Sequence, residues 1–190
     1  LDEPSIYAKV LRSGKTNWDI MKPDTAATSS DTAQTSFKAA LQKYSIKKGK
    51  ITYDDASLGF FLHAENLNHT GKGDFTQDLF TLNTQSDIEK LTIKYGGIPY
   101  LNKVNLNAEL PLDIDLKQMK FTFGENKIKL NELILSAVGY LAMPNENDMV
   151  MDIKFDAQQS DLKNFLSLIP AIYATNFNDL EASGKFAMNG

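Results

Sequence analysis

Two pairs of aspartates have the types and spacing that acid–base chemistry requires. Asp54 and Asp55 are adjacent, and Asp113 and Asp115 alternate along a predicted strand. Glycoside hydrolysis needs two carboxyl groups that face each other across about 5–10 Å. Asp113 and Asp115 fall on the wet side of that strand, and Asp54-Asp55 precedes Ala-Ser, where an aspartate bonds its own backbone two residues on. We therefore predict a solvated strand face and a turn, respectively.

The two histidines, His63 and His69, are candidates for a general base or a metal pair. They lie six positions apart across a predicted strand end, and we find no carboxylate in the sequence placed to orient either ring. Catalytic and metal-bound histidines need such a partner. The pattern favours ordinary surface or turn histidines.

Glycine pairs in two segments suggest phosphate-binding loops. Gly71-Lys72-Gly73 and Gly96-Gly97 both lack the helical pattern that must follow a phosphate cradle, so we predict turns. Ser160-Asp161 fits a helix cap, and no serine stands in a Gly-x-Ser-x-Gly elbow. No constellation supports catalysis, and we expect neither an enzyme nor a cofactor or metal site.

The element that must position most side chains is the strictly alternating stretch from Lys103 to Leu116. One side carries Val104, Leu106, Ala108, Leu110, Leu112, Ile114 and Leu116, and the other carries Asn105, Asn107, Glu109, Pro111, Asp113 and Asp115. Because successive strand side chains point to opposite faces, this predicts one long strand with one apolar side. Pro111 removes a ladder donor, so we expect a bulge or an edge position there.

Shorter alternating segments predict further strands. Met149, Met151, Ile153 and Phe155 share one face. Phe37 to Ile46 has both helical and strand spacing; with the residues up to Tyr53 it favours a strand, a turn at Lys48-Gly49 and a second strand. Asn68 to Asp74 is predicted to turn.

Only one segment has clear helical spacing. Leu162, Phe165, Leu166 and Ile169 form a stripe that ends at Pro170, which predicts a short helix over residues 160–169. Met21 to Ser36 contains almost no large apolar residue and is predicted to be a flexible loop over 21–36. The fold class that follows is mostly β, a curved, largely antiparallel sheet of long amphipathic strands with one short docked helix, in a single domain over residues 1–190.

Composition restricts the partners. The chain has 190 residues, a net charge of −4 and no cysteine, which argues against nucleic-acid binding and excludes disulfides and thiolate metal sites. No apolar run approaches the roughly 18 residues of a membrane span. Leu1 is not a natural initiator and an alternating final strand stops at Gly190, so we expect a fragment of a longer protein whose anchor or signal lies upstream.

Several segments of the sequence resemble the AsmA family of Gram-negative envelope proteins. They are Asn17-Trp18-Asp19-Ile20, Tyr44 to Asp55, Leu67 to Phe75 and Tyr95 to Tyr100. The resemblance covers most of the chain up to Leu116 and continues more loosely through the helix to Phe186. It is carried by several moderately specific phrases together.

This resemblance implies a periplasmic domain of a protein tethered to the inner membrane through a missing N-terminal anchor. The family is similar to TamB-type and other bridge-like lipid-transfer proteins, in which a long sheet carries acyl chains along an apolar groove. It therefore implies a non-catalytic role in outer-membrane biogenesis or phospholipid transport, with phospholipid acyl chains as partners. The alternative is a structural or protein-interaction module of the envelope.

The residues expected to line such a groove belong to two strands. They are Val104, Leu106, Leu110, Leu112, Ile114, Met149, Met151, Ile153 and Phe155. Exposed apolar surface beyond a few hundred Å² usually marks a ligand, partner or membrane contact. The same residues could instead form a closed core packed by the helix, and the sequence leaves both alternatives open.

Overall fold

The computed structural model describes residues 1–19, 42–145, 148, 150–166, 168–169 and 183–190. Within these ranges the elements are β1 (Ser5–Val10), β2 (Lys43–Asp55), β3 (Phe60–Lys72), β4 (Leu79–Tyr95), β5 (Ile98–Asp115), β6 (Lys120–Phe123), β7 (Lys127–Leu130), β8 (Leu133–Ala142), β9 (Val150–Asp161), α1 (Leu162–Leu166) and β10 (Lys185–Asn189). The segment 21–36, predicted to be a loop, and Met149 lie outside the described residues.

The ten described strands form one sheet in the order β1-β2-β3-β4-β5-β6-β8-β9-β10, and β7 also pairs with β5 and β8. Neighbouring strands run antiparallel except β1, which is parallel to β2. The predicted class, mostly β and largely antiparallel with one short helix, is confirmed. Curvature of the sheet stays a prediction.

The long strand predicted from Lys103 to Leu116 is the greater part of β5, which has 18 residues and ends at Asp115. Its even-numbered side chains are the covered ones, since Val104 is 4% and Ile114 is 7% exposed. Asn105 and Glu109 on the odd register are exposed. The alternation in the sequence therefore reports the two faces of the sheet correctly.

Pro111 lies where β5 changes its partner. Towards β4 the register is unbroken, and Pro111 is opposite Asn83. On the other side, β7 pairs with β5 as far as Glu109, and the pairing of β5 with β6 starts at Leu112. Pro111 therefore faces the gap between β7 and β6. Its carbonyl oxygen accepts a bond from Gly124 N at 3.1 Å. A residue without an N–H fits this position because no strand there requires the donor.

Extra residues interrupt β2, β3 and β5 at neighbouring positions. Lys48, Asn66 and Lys103 have φ values of 50°, 52° and 53°, and the strand registers shift beside them. Each bulge restores the phase of its strand, so that apolar side chains on both sides of it share one face. The turn predicted at Lys48-Gly49 is wrong, because β2 continues through Lys48 as a bulged strand.

Strand registers align the apolar side chains across the sheet on what we call the apolar face. Phe80 of β4 is opposite Ile114 of β5, which is opposite Phe121 of β6. Phe121 is opposite Leu141 of β8, and Leu141 is opposite Met151 of β9. The other side of the sheet, which carries the odd-numbered residues of β5 from Asn105 to Asp115, is the polar face.

The most deeply covered part of the apolar face lies on β3, β4 and β5. Ala64, Leu91 and Val104 form a buried cluster there, and Leu168, which follows α1, packs against it. Leu168 therefore covers the centre of the apolar face. Phe165 of α1 stacks on Phe186 of β10 with ring centroids 4.3 Å apart.

The helix is shorter than the predicted span of residues 160–169. It covers Leu162–Leu166, and bonds from Leu168 N to Phe165 O and from Ile169 N to Leu166 O extend it by a turn. Ser160 and Asp161, predicted to cap the helix, end β9 directly before it and pair with β10. The Asp161 carboxylate accepts a bond from Lys185 Nζ at 2.9 Å.

Candidate functional site

The residues predicted to line a groove lie on the apolar face, where the structure describes them. On β5, Val104 and Ile114 are buried, and Leu106, Leu110 and Leu112 are half-buried. On β9, Met151, Ile153 and Phe155 are 59%, 40% and 41% exposed. Met149 lies outside the described residues.

The two strands share this face through continuous rows of paired residues. Leu112 of β5 is opposite Phe123 of β6, Phe123 is opposite Gly139 of β8, and Gly139 is opposite Ile153 of β9. The glycine has no side chain to fill the row, and a Cβ added to it would collide with the carbonyl oxygen of Asp152. The row therefore contains no polar side chain from β5 to β9, and at Gly139 it contains no side chain at all.

Coverage divides the apolar face into two parts. The part on β3 to β5 contains the buried cluster, and Leu168 packs against it. The part on β9 and β10 is open, since Met188 of β10 is 38% exposed beside the three open residues of β9. We call this second part, made of Met151, Ile153, Phe155 and Met188, the open patch. Val104 is therefore part of the core, and a groove stays a prediction for the second part.

The ends of the open patch are held by backbone pairing. Phe155 N donates to Gly190 O at 2.8 Å, and Gly190 N donates to Phe155 O at 2.9 Å. A Cβ at Gly190 would meet the Phe155 ring, so that ring lies across the glycine. The backbone of Phe155 is therefore bonded to Gly190 at this end of the patch.

Asp54 and Asp55 end strand β2, and only Asp55 makes the turn bond predicted from the sequence. Asp55 is 4% exposed and accepts bonds from Ser57 N at 2.9 Å and Leu58 N at 3.0 Å. These bonds and that of the Ser57 hydroxyl lower the pKa of the Asp55 carboxyl. On the polar face, Asp113 accepts a bond from Thr81 Oγ1 at 2.6 Å.

The expectation that no carboxylate orients a histidine is wrong for His63. Glu65 Oε1 lies 3.2 Å from His63 Nε2, and Thr52 Oγ1 lies 2.8 Å from Nδ1. The bonds of His63 and of Lys90 lower the pKa of the Glu65 carboxyl. The sequence did contain a signal, since residues 63 and 65 alternate on one strand face, but Thr52 joins them only through the register of β2 with β3.

His69 lies on the opposite face from His63, because the bulge at Asn66 separates them. Its Nε2 is 3.1 Å from Tyr44 Oη and its Nδ1 is 2.8 Å from Ser86 Oγ, in a chain across β2, β3 and β4. Burial lowers the pKa of His69. The two rings therefore cannot hold one metal ion or act on one substrate together.

The two glycine segments differ in structure. Gly96-Gly97, with φ values of 57° and 82°, forms the two-residue turn between β4 and β5, as predicted. Gly71 is part of β3, so the turn predicted over Asn68 to Asp74 begins later than expected. In register it is opposite Tyr44, whose ring occupies the space of the missing side chain.

Among the residues that the structure describes, no three His, Cys, Asp or Glu side chains are grouped to hold a metal ion. In the same part of the chain, no helix has the length and apolar character needed to span a membrane. No protein-family model, curated protein or solved structure matches the chain. The resemblance to the AsmA family stays a prediction from the sequence.

Proposed function

We propose that this chain is a non-catalytic domain of a cell-envelope protein that holds phospholipid acyl chains against its apolar face. The supporting observation is the open patch. Met151, Ile153 and Phe155 are exposed by 40% or more on the same sheet face whose centre is core. An acyl chain is an occupant that needs no hydrogen bonds and gains from contact with such a surface.

The energetics favour an occupant of this kind. Removing apolar surface from water is worth about 25 cal/mol per Å², and the patch continues without a polar break into the row through Gly139 and Phe123. Methionine side chains such as Met151 and Met188 are unbranched and adapt to irregular, flexible partners. The surface can therefore accept chains of different length and shape.

The cellular setting of this proposal rests on the AsmA resemblance. It places the domain in the periplasm, in a protein tethered to the inner membrane, with a role in phospholipid transport or outer-membrane biogenesis. The lipid-facing residues on this proposal are those of the open patch, with the half-buried Leu110 and Leu112 of β5 on the same face.

A structural or protein-interaction module of the envelope is the second candidate. Its support is the edge strand β10, which pairs on one side with β9 and has no second neighbour among the described strands. A strand with a free edge can pair with a strand of another protein.

Native mass spectrometry of the purified protein, incubated with phospholipid and then freed of excess lipid, tests the first proposal. We expect additional peaks at the mass of the protein plus one or more phospholipids. A spectrum that contains only the apo mass contradicts lipid binding and favours the interaction module.

A further inference from the structure

A second concave surface lies on the polar face, on the side of the sheet away from the open patch. It has a volume of about 710 Å³ and crosses β2, β3, β4, β5 and the start of β7. Leu110 and Pro111 of β5 are its apolar lining residues. The others are polar or charged: Lys43, Thr70, Lys72, Asn83, Thr84, Gln85, Glu109, Glu125, Asn126 and Lys127. We call it the lysine cleft.

Two lysines meet directly at one end of the lysine cleft. Lys43 of β2 and Lys72 of β3 are opposite each other in the antiparallel register. Directly opposite residues have Cβ atoms about 4.5–5.5 Å apart, and like charges at that distance are destabilising. Within the described part of the chain neither lysine forms a salt bridge. The register therefore places two exposed lysines side by side on one face of the sheet, with no carboxylate paired to either of them in the described residues.

The next row of the cleft supplies different chemistry. Thr70 is opposite Gln85, and Gln85 is opposite Glu109. These side chains provide a hydroxyl, an amide and a carboxylate, which together donate to and accept from the hydroxyl groups of a ligand. Glu109 is also opposite Lys127 in register, and Glu125 adds a second carboxylate to the lining. The lysine cleft thus has a pair of lysines at one end and, beside it, a row of side chains that can donate and accept hydrogen bonds.

We propose that the lysine cleft binds a phosphorylated polyol or sugar. Its phosphate monoester lies between Lys43 and Lys72, and its hydroxyl groups reach Gln85 and Glu109. A phosphate dianion has three terminal oxygens and can bind both ammonium groups at once, which removes their repulsion. This site is independent of the proposed lipid function, because it lies on the opposite face of the sheet.

Calorimetric titration of the whole chain with inorganic phosphate, glycerol 3-phosphate and glucose 6-phosphate, at physiological salt, tests the proposal. We expect the two organic phosphates to bind more tightly than inorganic phosphate. Lys43→Ala and Lys72→Ala should each weaken binding about tenfold or more, since each removes a charged hydrogen bond. Lys154→Ala, an exposed lysine on the polar face of β9, is the control and should leave binding unchanged.

Glu109→Gln separates the two ends of the cleft. It should weaken glucose 6-phosphate binding about threefold or more through a lost hydrogen bond, and it should not weaken binding of inorganic phosphate. Vesicles with and without phosphatidic acid distinguish the source of the phosphate. Binding to the soluble phosphates indicates a free metabolite, whereas binding only to phosphatidic acid vesicles, lost in Lys43→Ala, indicates a lipid head group.

Two results overturn the proposal. One is the absence of binding to any of these phosphates. The other is binding that both lysine variants retain or that Lys154→Ala weakens equally, because the contact would then be a general effect of surface charge. A thermal-shift measurement on each variant confirms that it is folded.

Discussion

The ring of Tyr44 on β2 lies over Gly71 on β3, in the space that a side chain at position 71 would occupy. From there the Tyr44 hydroxyl reaches His69 Nε2 at 3.1 Å, and His69 Nδ1 reaches Ser86 Oγ at 2.8 Å. The glycine thus permits a polar chain across three strands on a face that is otherwise apolar. Because these hydrogen-bonded side chains are partly buried, they should affect both the packing of the sheet and the pH dependence of its stability.

Gly71→Ala should destabilise the fold by about 1–3 kcal/mol, because the added methyl group displaces the Tyr44 ring and its bond to His69. The free energy of unfolding in urea measures this. In a Tyr44→Ala background the same substitution should cost much less, since the clash is absent. Equal costs in the two backgrounds would show that the ring is not the cause.

Stability should fall as pH falls through the titration range of His69. Burial lowers its pKa below the ordinary value of 6.5, so the unfolded chain takes up the proton more readily than the folded chain. The contribution of His69 is therefore fully present above about pH 6.5 and is lost as pH falls toward its lowered folded pKa. Asp55 and Asp74, whose pKa values hydrogen bonds lower from 3.8, titrate below this window.

Urea unfolding between about pH 7.5 and about pH 5.5 measures this dependence. His69→Gln should flatten it, whereas His63→Gln on the polar face should leave the His69 contribution in place. A His69→Gln protein with the wild-type pH dependence would contradict the assignment.

Gly139→Ala should cost more than a similar change elsewhere in the sheet. Its φ of 137° disfavours any residue with a Cβ, and the atom that blocks the Cβ is the backbone oxygen of Asp152, which cannot rotate away. We expect a loss of roughly 2–4 kcal/mol in the free energy of unfolding. Gly124→Ala is the matched control, because its φ is not positive and its nearest contact is a Pro111 side-chain carbon at 3.3 Å. Similar costs at the two positions would contradict this account.

The sequence predicts those parts of the fold that local alternation determines. The even-numbered side of β5 and the shared face of Met151, Ile153 and Phe155 follow directly from period two. The bulge at Lys48 does not follow from the alternation, because in the sequence Lys48-Gly49 fits a turn as well as it fits one extra strand residue with positive φ. Asn66 similarly places His63 and His69 on opposite faces, which counting residues along the strand does not reveal.

The candidate sites depend still more on register. Lys43 and Lys72 belong to different strands, and only the pairing of β2 with β3 brings them together. The openness of the patch on β9 depends on where the chain beyond α1 packs, and Leu168 covers β3 to β5 instead. Neither relationship has a signal in the sequence, because both are set by contacts between distant segments.

The central claim is that acyl chains bind to the apolar face at the open patch. Its most direct test is the affinity for a fluorescent fatty acid of two variants, Ile153→Asp in the patch and Val138→Asp on the polar face, whose wild-type side chains are 40% and 43% exposed. We expect Ile153→Asp to weaken binding about tenfold or more, because the bound chain would have to cover a charge, and Val138→Asp to leave it within about twofold. Equal affinities of the two variants, or no binding by the wild-type protein, would contradict the claim.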